Sequence, residues 1–293
     1  VSPPPVYHVR HRTTYRYSGR IDLCHSLAHL QPREQADQEI LAHHIEIEPA
    51  PDFRAERLDF HGNPVTQFSI ETSHGSLDVT STLTVRRSAG APVPPVAGQF
   101  WDGPAYAHAE VDGDGCLLAN FLLPTHACPQ LFEVDAFLRE DLPPGADRMQ
   151  VVTRLMERVY DEFAYDPGAT DTSTPLADVM AKRKGVCQDF AHVMISALRG
   201  IGIPTRYVSG YLETLPPPGK EKLQGADASH AWIESYSPAT GWVGFDPTNN
   251  CLPGQQHLKL CHGRDYFDVQ PLKGIFLGSG NQKLSVEVDV RRS

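Results

Sequence analysis

The feature that most constrains this chain is a change of hydrophobic period part-way along it. Between Tyr7 and Arg87, apolar and polar residues alternate in short stretches: Tyr7-His8-Val9-Arg10, His44-Ile45-Glu46-Ile47-Glu48, Thr66-Gln67-Phe68-Ser69-Ile70 and Leu77-Asp78-Val79-Thr80. A period of two lays one face of a strand on a core and leaves the other in water. Turn residues stand where such strands must reverse, at Phe60-His61-Gly62-Asn63-Pro64 and Ser73-His74-Gly75-Ser76. Residues 1–90 therefore read as an antiparallel β domain. Composition then shifts to Ala, Gly and Pro, with Ala91-Pro92-Val93-Pro94-Pro95-Val96 as a stiff connector, and 91–145 reads as a transitional segment. Beyond it the period lengthens. Val152, Leu155, Met156 and Val159 have the spacing of a buried helical stripe within 149–160. A second helix is expected over 187–199, with Phe190, Met194, Ala197 and Leu198 on one face and Gly200 as its stop. Strands follow at 205–212, 230–236, 242–245 and 284–290. Residues 146–293 read as a mixed domain closed by a C-terminal strand, and the whole as α+β.

A length of 293 residues gives room for two such domains, and the formal net charge of −10 would repel a nucleic-acid backbone. Nucleic acid is thus excluded as a partner. No apolar run approaches the roughly 18 residues of a membrane span, so no membrane partner is expected. The start, Val1-Ser2-Pro3-Pro4-Pro5-Val6, lacks the pattern of a signal peptide. The six cysteines, Cys24, Cys116, Cys128, Cys187, Cys251 and Cys261, lie far apart without a C-x-x-C. Free thiols in a reducing cytoplasm are the expectation, with oligomeric state left open.

Three segments carry chemistry together: Gly185-Val186-Cys187-Gln188-Asp189-Phe190-Ala191, Ser229-His230-Ala231-Trp232-Ile233 and Gly244-Phe245-Asp246-Pro247-Thr248. They supply a thiol, an imidazole and a carboxylate. Cys187 opens the expected helix, where unpaired amides and a neighbouring imidazolium both favour the nucleophilic thiolate. Those amides can also hold a developing oxyanion. A hairpin turning at Ser237-Pro238-Ala239-Thr240-Gly241 has two plausible registers, facing His230 with Asp246 or with Thr248. Since 230 and 246 share parity, both side chains lie on one face. Asp246 can then orient His230, which serves Cys187, as a catalytic triad requires.

On these segments the chain resembles the bacterial transglutaminase-like proteins, relatives of papain-type cysteine peptidases. Leu30-Gln31-Pro32-Arg33, the pattern through Gly62-Asn63, and the run from Gly263-Arg264-Asp265-Tyr266 to Gly274 resemble the subgroup with a bacterial N-terminal β domain. The resemblance implies a cysteine helix packed on an antiparallel sheet, with Cys187 as nucleophile, His230 as general base and acid, and Asp246 as orienter. Gln188 and Asp189 could shape the acyl site or merely fill the first helical turn. Tyr165 is a candidate oxyanion donor, and Trp232 and Trp242 are candidates to line the cleft or pack in the core. The breaker-rich stretch 215–225 reads as a loop able to act as a lid, and Lys182-Arg183-Lys184 as a solvated helix end able to draw acidic groups toward Cys187.

No cofactor and no metal are expected. His25 and His29 are four apart on a strand-like segment, and Cys251, His257, Cys261 and His262 fit no zinc module. Val111-Asp112-Gly113-Asp114-Gly115 lacks the calcium-loop pattern. The activity expected is an amide hydrolase working through an acyl-enzyme on a peptide or other amide. Acyl transfer to an amine and an inert binding module are the alternatives.

Overall fold

The computed structural model describes residues 3–88, 118–140, 146–214, 229–238 and 240–293. The 91–96 connector, the 111–115 turn and the 215–225 loop lie outside the described residues. The first unit is built from β1 (Val6–Ala28), β2 (Gln38–Glu48), β3 (Phe53–Leu58), β4 (Pro64–Ile70) and β5 (His74–Arg87). The second runs through α1 (Phe132–Arg139), α2 (Arg148–Glu162), β6 (Ala164–Tyr165), α3 (Leu176–Lys182), β7 (Lys184–Gly185) and α4 (Cys187–Gly200). It continues with β8 (Thr205–Leu212), β9 (Ser229–Ser237), β10 (Gly241–Phe245) and β11 (His257–Gly263), and β12 (Leu272–Gly278) and β13 (Gln282–Arg292) complete the chain.

Period two is plain in β5, where Leu77, Val79, Leu83 and Val85 are buried and Thr82 is exposed. β1 organises the first sheet. Its early residues pair with β5 and its late ones with β4, all antiparallel, in the order β2-β5-β1-β4-β3. The sheet encloses a core of its own around Ile21, Ile45, Phe68, Ile70 and Val79.

The free edge of β1 receives β13 along Tyr7–Tyr17 and β12 along Ile21–Ala28. The C-terminal strand was expected to close the catalytic domain. It instead completes the N-terminal sheet, because alternating Val288 and Val290 are fully buried there opposite His11 and Val9. Tyr7, Val9, Leu83, Val85, Val288 and Val290 belong to the same continuous core as the helices of the second unit. Each such side chain contributes roughly 1.5–3 kcal/mol by burial.

The second sheet has the order β10-β9-β8-β11. α2 begins at a capping box in which Asp147 accepts from Met149 and Gln150 N–H and Gln150 reaches back to Asp147 N–H. Its expected stripe of Val152, Leu155, Met156 and Val159 is buried. α4 is buried nearly all round, from Asp189 to Arg199, with α1, α2 and α3 and the strands β8 and β9 packed around it. The odd-numbered residues of β9, Ala231 and Ile233, pack in that core. His230, Trp232 and Glu234 therefore occupy the opposite face.

Candidate active site

Cys187 is the first residue of α4, half-buried, and the helix start is held from behind. Asp189 reaches back to accept from Val186 N–H at 2.8 Å and also accepts from Thr170 Oγ1 at 2.6 Å. Its carboxyl is pushed up by burial, partly offset by these bonds. A Cβ on Gly185 would meet that carboxylate at 2.5 Å, so only glycine lets Asp189 fold back here. Asp189 Oδ2 thus caps the start of the cysteine helix. The first intrahelical bond runs from Phe190 N–H to Val186 C=O at 3.1 Å, so the amides of Cys187 and Gln188 precede the helical ladder. Gln188 is half-buried at the second position.

The β9–β10 hairpin takes the second of the two expected registers, pairing Gly241 with Ser237 and Phe245 with Ile233. Extended without a break it would set Thr248 opposite His230. The chain turns after β10 instead, bridging Asp246 to Cys251, and the carboxylate meets His230 at the strand end. His230 Nε2 donates to Asp246 Oδ2 at 2.7 Å. Asp246 is fully buried and its oxygens also accept from His257 Nε2 at 3.0 Å, Asn249 Nδ2 at 2.7 Å and the N–H groups of Thr248 and Asn249 at 2.9 and 3.2 Å. Burial alone would push the Asp246 carboxyl up. These hydrogen bonds overcome it and hold the carboxyl well below the usual range.

The remaining His230 nitrogen, Nδ1, is not engaged by Asp246, and Cys187 lies close enough to the imidazole to raise it. Burial pushes the His230 imidazole down, but the bonds to Asp246 and then to Cys187 win and raise it to about 10. Cys187, His230 and Asp246 thus lie together, with the imidazole between the other two.

The other sequence candidates are distributed differently. Tyr165 pairs with Gly185 across β6–β7 and is largely exposed, with burial and then the neighbouring Cys187 raising its phenol. Trp232 is only 2 % exposed, tilted against His230 at 6.0 Å and edge-on to His257 at 5.3 Å. Trp242 is remote from Cys187, stacked under Arg206 at 4.2 Å and against Phe121. Both tryptophans line a cavity of about 410 Å³, together with Glu234, His257 and Lys259. In the basic run, Lys182, Arg183 and Lys184 each lie within 4.0 Å of a carboxylate, and Arg183 also covers the Phe137 and Phe163 rings.

His25 is exposed while His29 is buried against Asp59 at 3.3 Å, so the two histidines share no site. Cys251, His257, Cys261 and His262 also go to separate tasks, with Cys261 in the core and His262 between Arg33 and Arg206. His230, Asp246 and His257 offer ligand atoms within 4.8 Å of one another. Both rings already direct Nε2 at the same oxygen, so a metal would have to displace two hydrogen bonds to enter.

His257, Asn249 and Thr170 were missed as site residues. Asn249 directly follows the carboxylate segment Gly244-Phe245-Asp246-Pro247-Thr248. His257 becomes visible only once β11 is known to pair with β8, which carries it to the end of the sheet where His230 stands.

Residues 7–86 match the family described as the bacterial transglutaminase-like N-terminal region, and residues 138–247 match the transglutaminase-like superfamily. An uncharacterized protein of Mycobacterium tuberculosis H37Rv is 37% identical over 293 residues, covering 97% of this chain and 92% of that protein. The chain belongs to the transglutaminase-like superfamily. Both of its units recur in the crystal structure of a Cytophaga hutchinsonii protein described as a candidate cysteine protease. That fold superposes with a TM-score of 0.77 over 99% of this chain and 91% of the other, at 21% identity. The transglutaminase-like chain also shares 33% identity over 138 residues with a protein-glutamine gamma-glutamyltransferase of Pseudomonas aeruginosa, a match covering 46% of this chain and 20% of that protein.

Proposed function

We propose that this protein is a cysteine-nucleophile amide hydrolase acting on a peptide or other amide through an acyl-enzyme. The observation that carries the reading is the His230 imidazole, bonded at 2.7 Å to the buried Asp246 on one side and close enough to Cys187 on the other for both to raise it. In the proposed cycle the Cys187 sulfur attacks the carbonyl carbon, and the resulting oxyanion is met by the amides of Cys187 and Gln188. Tyr165 stands at the same opening and serves as a further donor. Collapse breaks the C–N bond as His230 Nδ1 gives its proton to the leaving amine. Neutral His230 then takes a proton from water, which attacks the thioester and releases the acid. Asp246 holds the Nε2–H throughout. All of these groups come from residue 165 onward, and the N-terminal β unit contributes none of them.

Acyl transfer to an amine is the second reading, favoured by the likeness to the Pseudomonas gamma-glutamyltransferase. It uses the same thioester and differs only in the nucleophile that resolves it. A casein substrate with a biotinylated primary amine separates the two: free acid without biotin in the protein is expected, and stable biotin incorporation would replace hydrolase by transferase. Iodoacetamide at mildly acidic pH should label Cys187 far faster than the other thiols and stop turnover. Uniform slow labelling would mean an inert site. A reducing, cytoplasmic setting suits this chemistry, and the described cysteines are free thiols.

A further inference from the structure

Asp246 carries more hydrogen bonds than are needed to orient one imidazole. Oδ2 accepts from His230 Nε2, Asn249 Nδ2 and His257 Nε2, while Oδ1 accepts from two backbone N–H groups. That crowds the roughly four lone-pair sites of a carboxylate. The second imidazole has a defined tautomer. Gly254 N–H donates to His257 Nδ1 at 3.2 Å, so the ring proton sits on Nε2 and is given to Asp246 at 3.0 Å. The ring stands edge-on to Trp232, the same indole that lies against His230.

We propose that His257 is a positioning residue of the site: it pins the Asp246 oxygen between two imidazoles and draws carboxylate charge away from His230, loosening the grip of Asp246 on the His230 proton. The inference rests on the roles proposed above for Cys187, His230 and Asp246. A buried carboxylate that gives its full charge to one imidazole makes an imidazolium too stable to release its proton to a leaving amine. A second donor on the same oxygen reduces that stabilisation. Outer partners of this kind commonly set the orientation and basicity of the group they support.

Among the described residues, few other groups face this network. Cys187 faces His230 from α4, and Cys251, in the loop bridged to Asp246, feels the carboxylate charge. In the cavity shared with His257, Glu234 pairs with Lys259 at 2.7 Å and Arg87 with Asp37 at 2.9 Å. Removing the His257 nitrogens therefore changes the donors on Asp246 without leaving an unpaired charge.

Two full-length variants test this. His257→Phe keeps a ring against Trp232 but deletes the donor, whereas His257→Gln sets an amide N–H near the lost Nε2–H. His230 is titrated by NMR on histidine-labelled protein, and iodoacetamide alkylation of Cys187 is followed against pH. In the Phe variant the His230 midpoint and the upper limb of the alkylation profile should both move up by about one pH unit. The Gln variant should return them toward the wild type. Superimposable wild-type and Phe curves, or a Gln variant displaced as far as Phe, would overturn the proposal. Should the Phe variant fail to fold, nitrogen shifts of wild-type His257 at pH 8 decide, since a proton on Nδ1 instead of Nε2 is incompatible with it. Absence of amide turnover would remove the hydrolase reading yet leave every titration readable.

Discussion

At the scale of single residues, the chemistry depends on which proton each ring nitrogen holds. Asp246 stays ionised because five donors outweigh its burial, and that charge keeps a proton on His230 Nε2. Asp246→Asn removes the charge and reverses the donor. The amide N–H would point at Nε2, forcing the neutral ring to carry its proton on Nδ1, where it cannot act as a base. Turnover should fall on the order of 10³–10⁴-fold, the size seen when a triad histidine is trapped in the wrong tautomer. The pH dependence carries a sign as well. With His230 raised to about 10, the protonated ring beside Cys187 persists through neutral pH and is lost only as pH climbs toward that value. In the Asn variant the upper limb of Cys187 alkylation should drop toward 6.5, the ordinary imidazole value. Rates of iodoacetamide labelling between pH 5 and 10 measure it, and an unmoved limb would mean that Asp246 does not hold the His230 proton.

At the scale of elements, the cysteine helix depends on a tie made before it begins. Asp189, 3 % exposed, satisfies Val186 N–H and Thr170 Oγ1 together, and Gly185 leaves room for it. Asp189→Ala would orphan both donors at a cost of about 1–3 kcal/mol, and Asp189→Asn should recover part of it through one oxygen. Thermal melts give the stability, and the rate of Cys187 alkylation should fall in parallel as the helix start loosens. An Ala variant as stable and as reactive as wild type would show that the tie does not hold the nucleophile. How far such elements were legible follows from what each rests on. α2, α4 and the β9–β10 hairpin were readable because their apolar periods and turn residues are local. The parity of His230 and Asp246 correctly put them on one side, even though the chain leaves the hairpin at Asp246 instead of running on to Thr248. α1 and α3, of eight and seven residues, are too short to show a period that distinguishes them from loop. β11 escaped notice because its residues are buried on both faces, His257 and Lys259 included, so no alternation marks it. With β11 unseen, His257 had no place in the site.

At the scale of the whole molecule, the resembling segments that lie outside the triad meet at the junction of the two units. Arg33 Nη1 donates to His61 C=O, Asn63 Nδ2 donates to His262 C=O at 2.8 Å and its Oδ1 accepts from His262 N–H, and Asp268 binds both His61 and Arg264. Asn63 is fully buried, so Asn63→Leu should cost about 2–4 kcal/mol by stranding the His262 amide and carbonyl. A shared core and a shared polar seam predict that both units unfold in one transition. Three imidazoles in this interior are held neutral. Burial lowers His11 and His192 to about 4 and, with Arg206, Lys259 and Arg33 around it, takes His262 well below 6.5. Two of them sit on the seam, His11 against the Tyr211 hydroxyl at 2.9 Å and His262 accepting from Arg206 at 3.1 Å. The unfolded chain takes up protons on all three below pH about 6.5 while the folded protein does not, so stability must fall as pH drops. Each such imidazole adds to the fall, by at most about 1.4 kcal/mol per pH unit. The loss begins near 6.5 and continues down to about 4, where the folded His11 and His192 begin to protonate. Urea melts between pH 8 and 4.5 should show that slope. His11→Phe, which removes one of these sites at the expense of a hydroxyl partner, should make the slope shallower. Stability that stays level across this range, or a His11→Phe slope equal to that of the wild type, would refute the idea that neutral imidazoles at the junction make the two-unit assembly acid-labile.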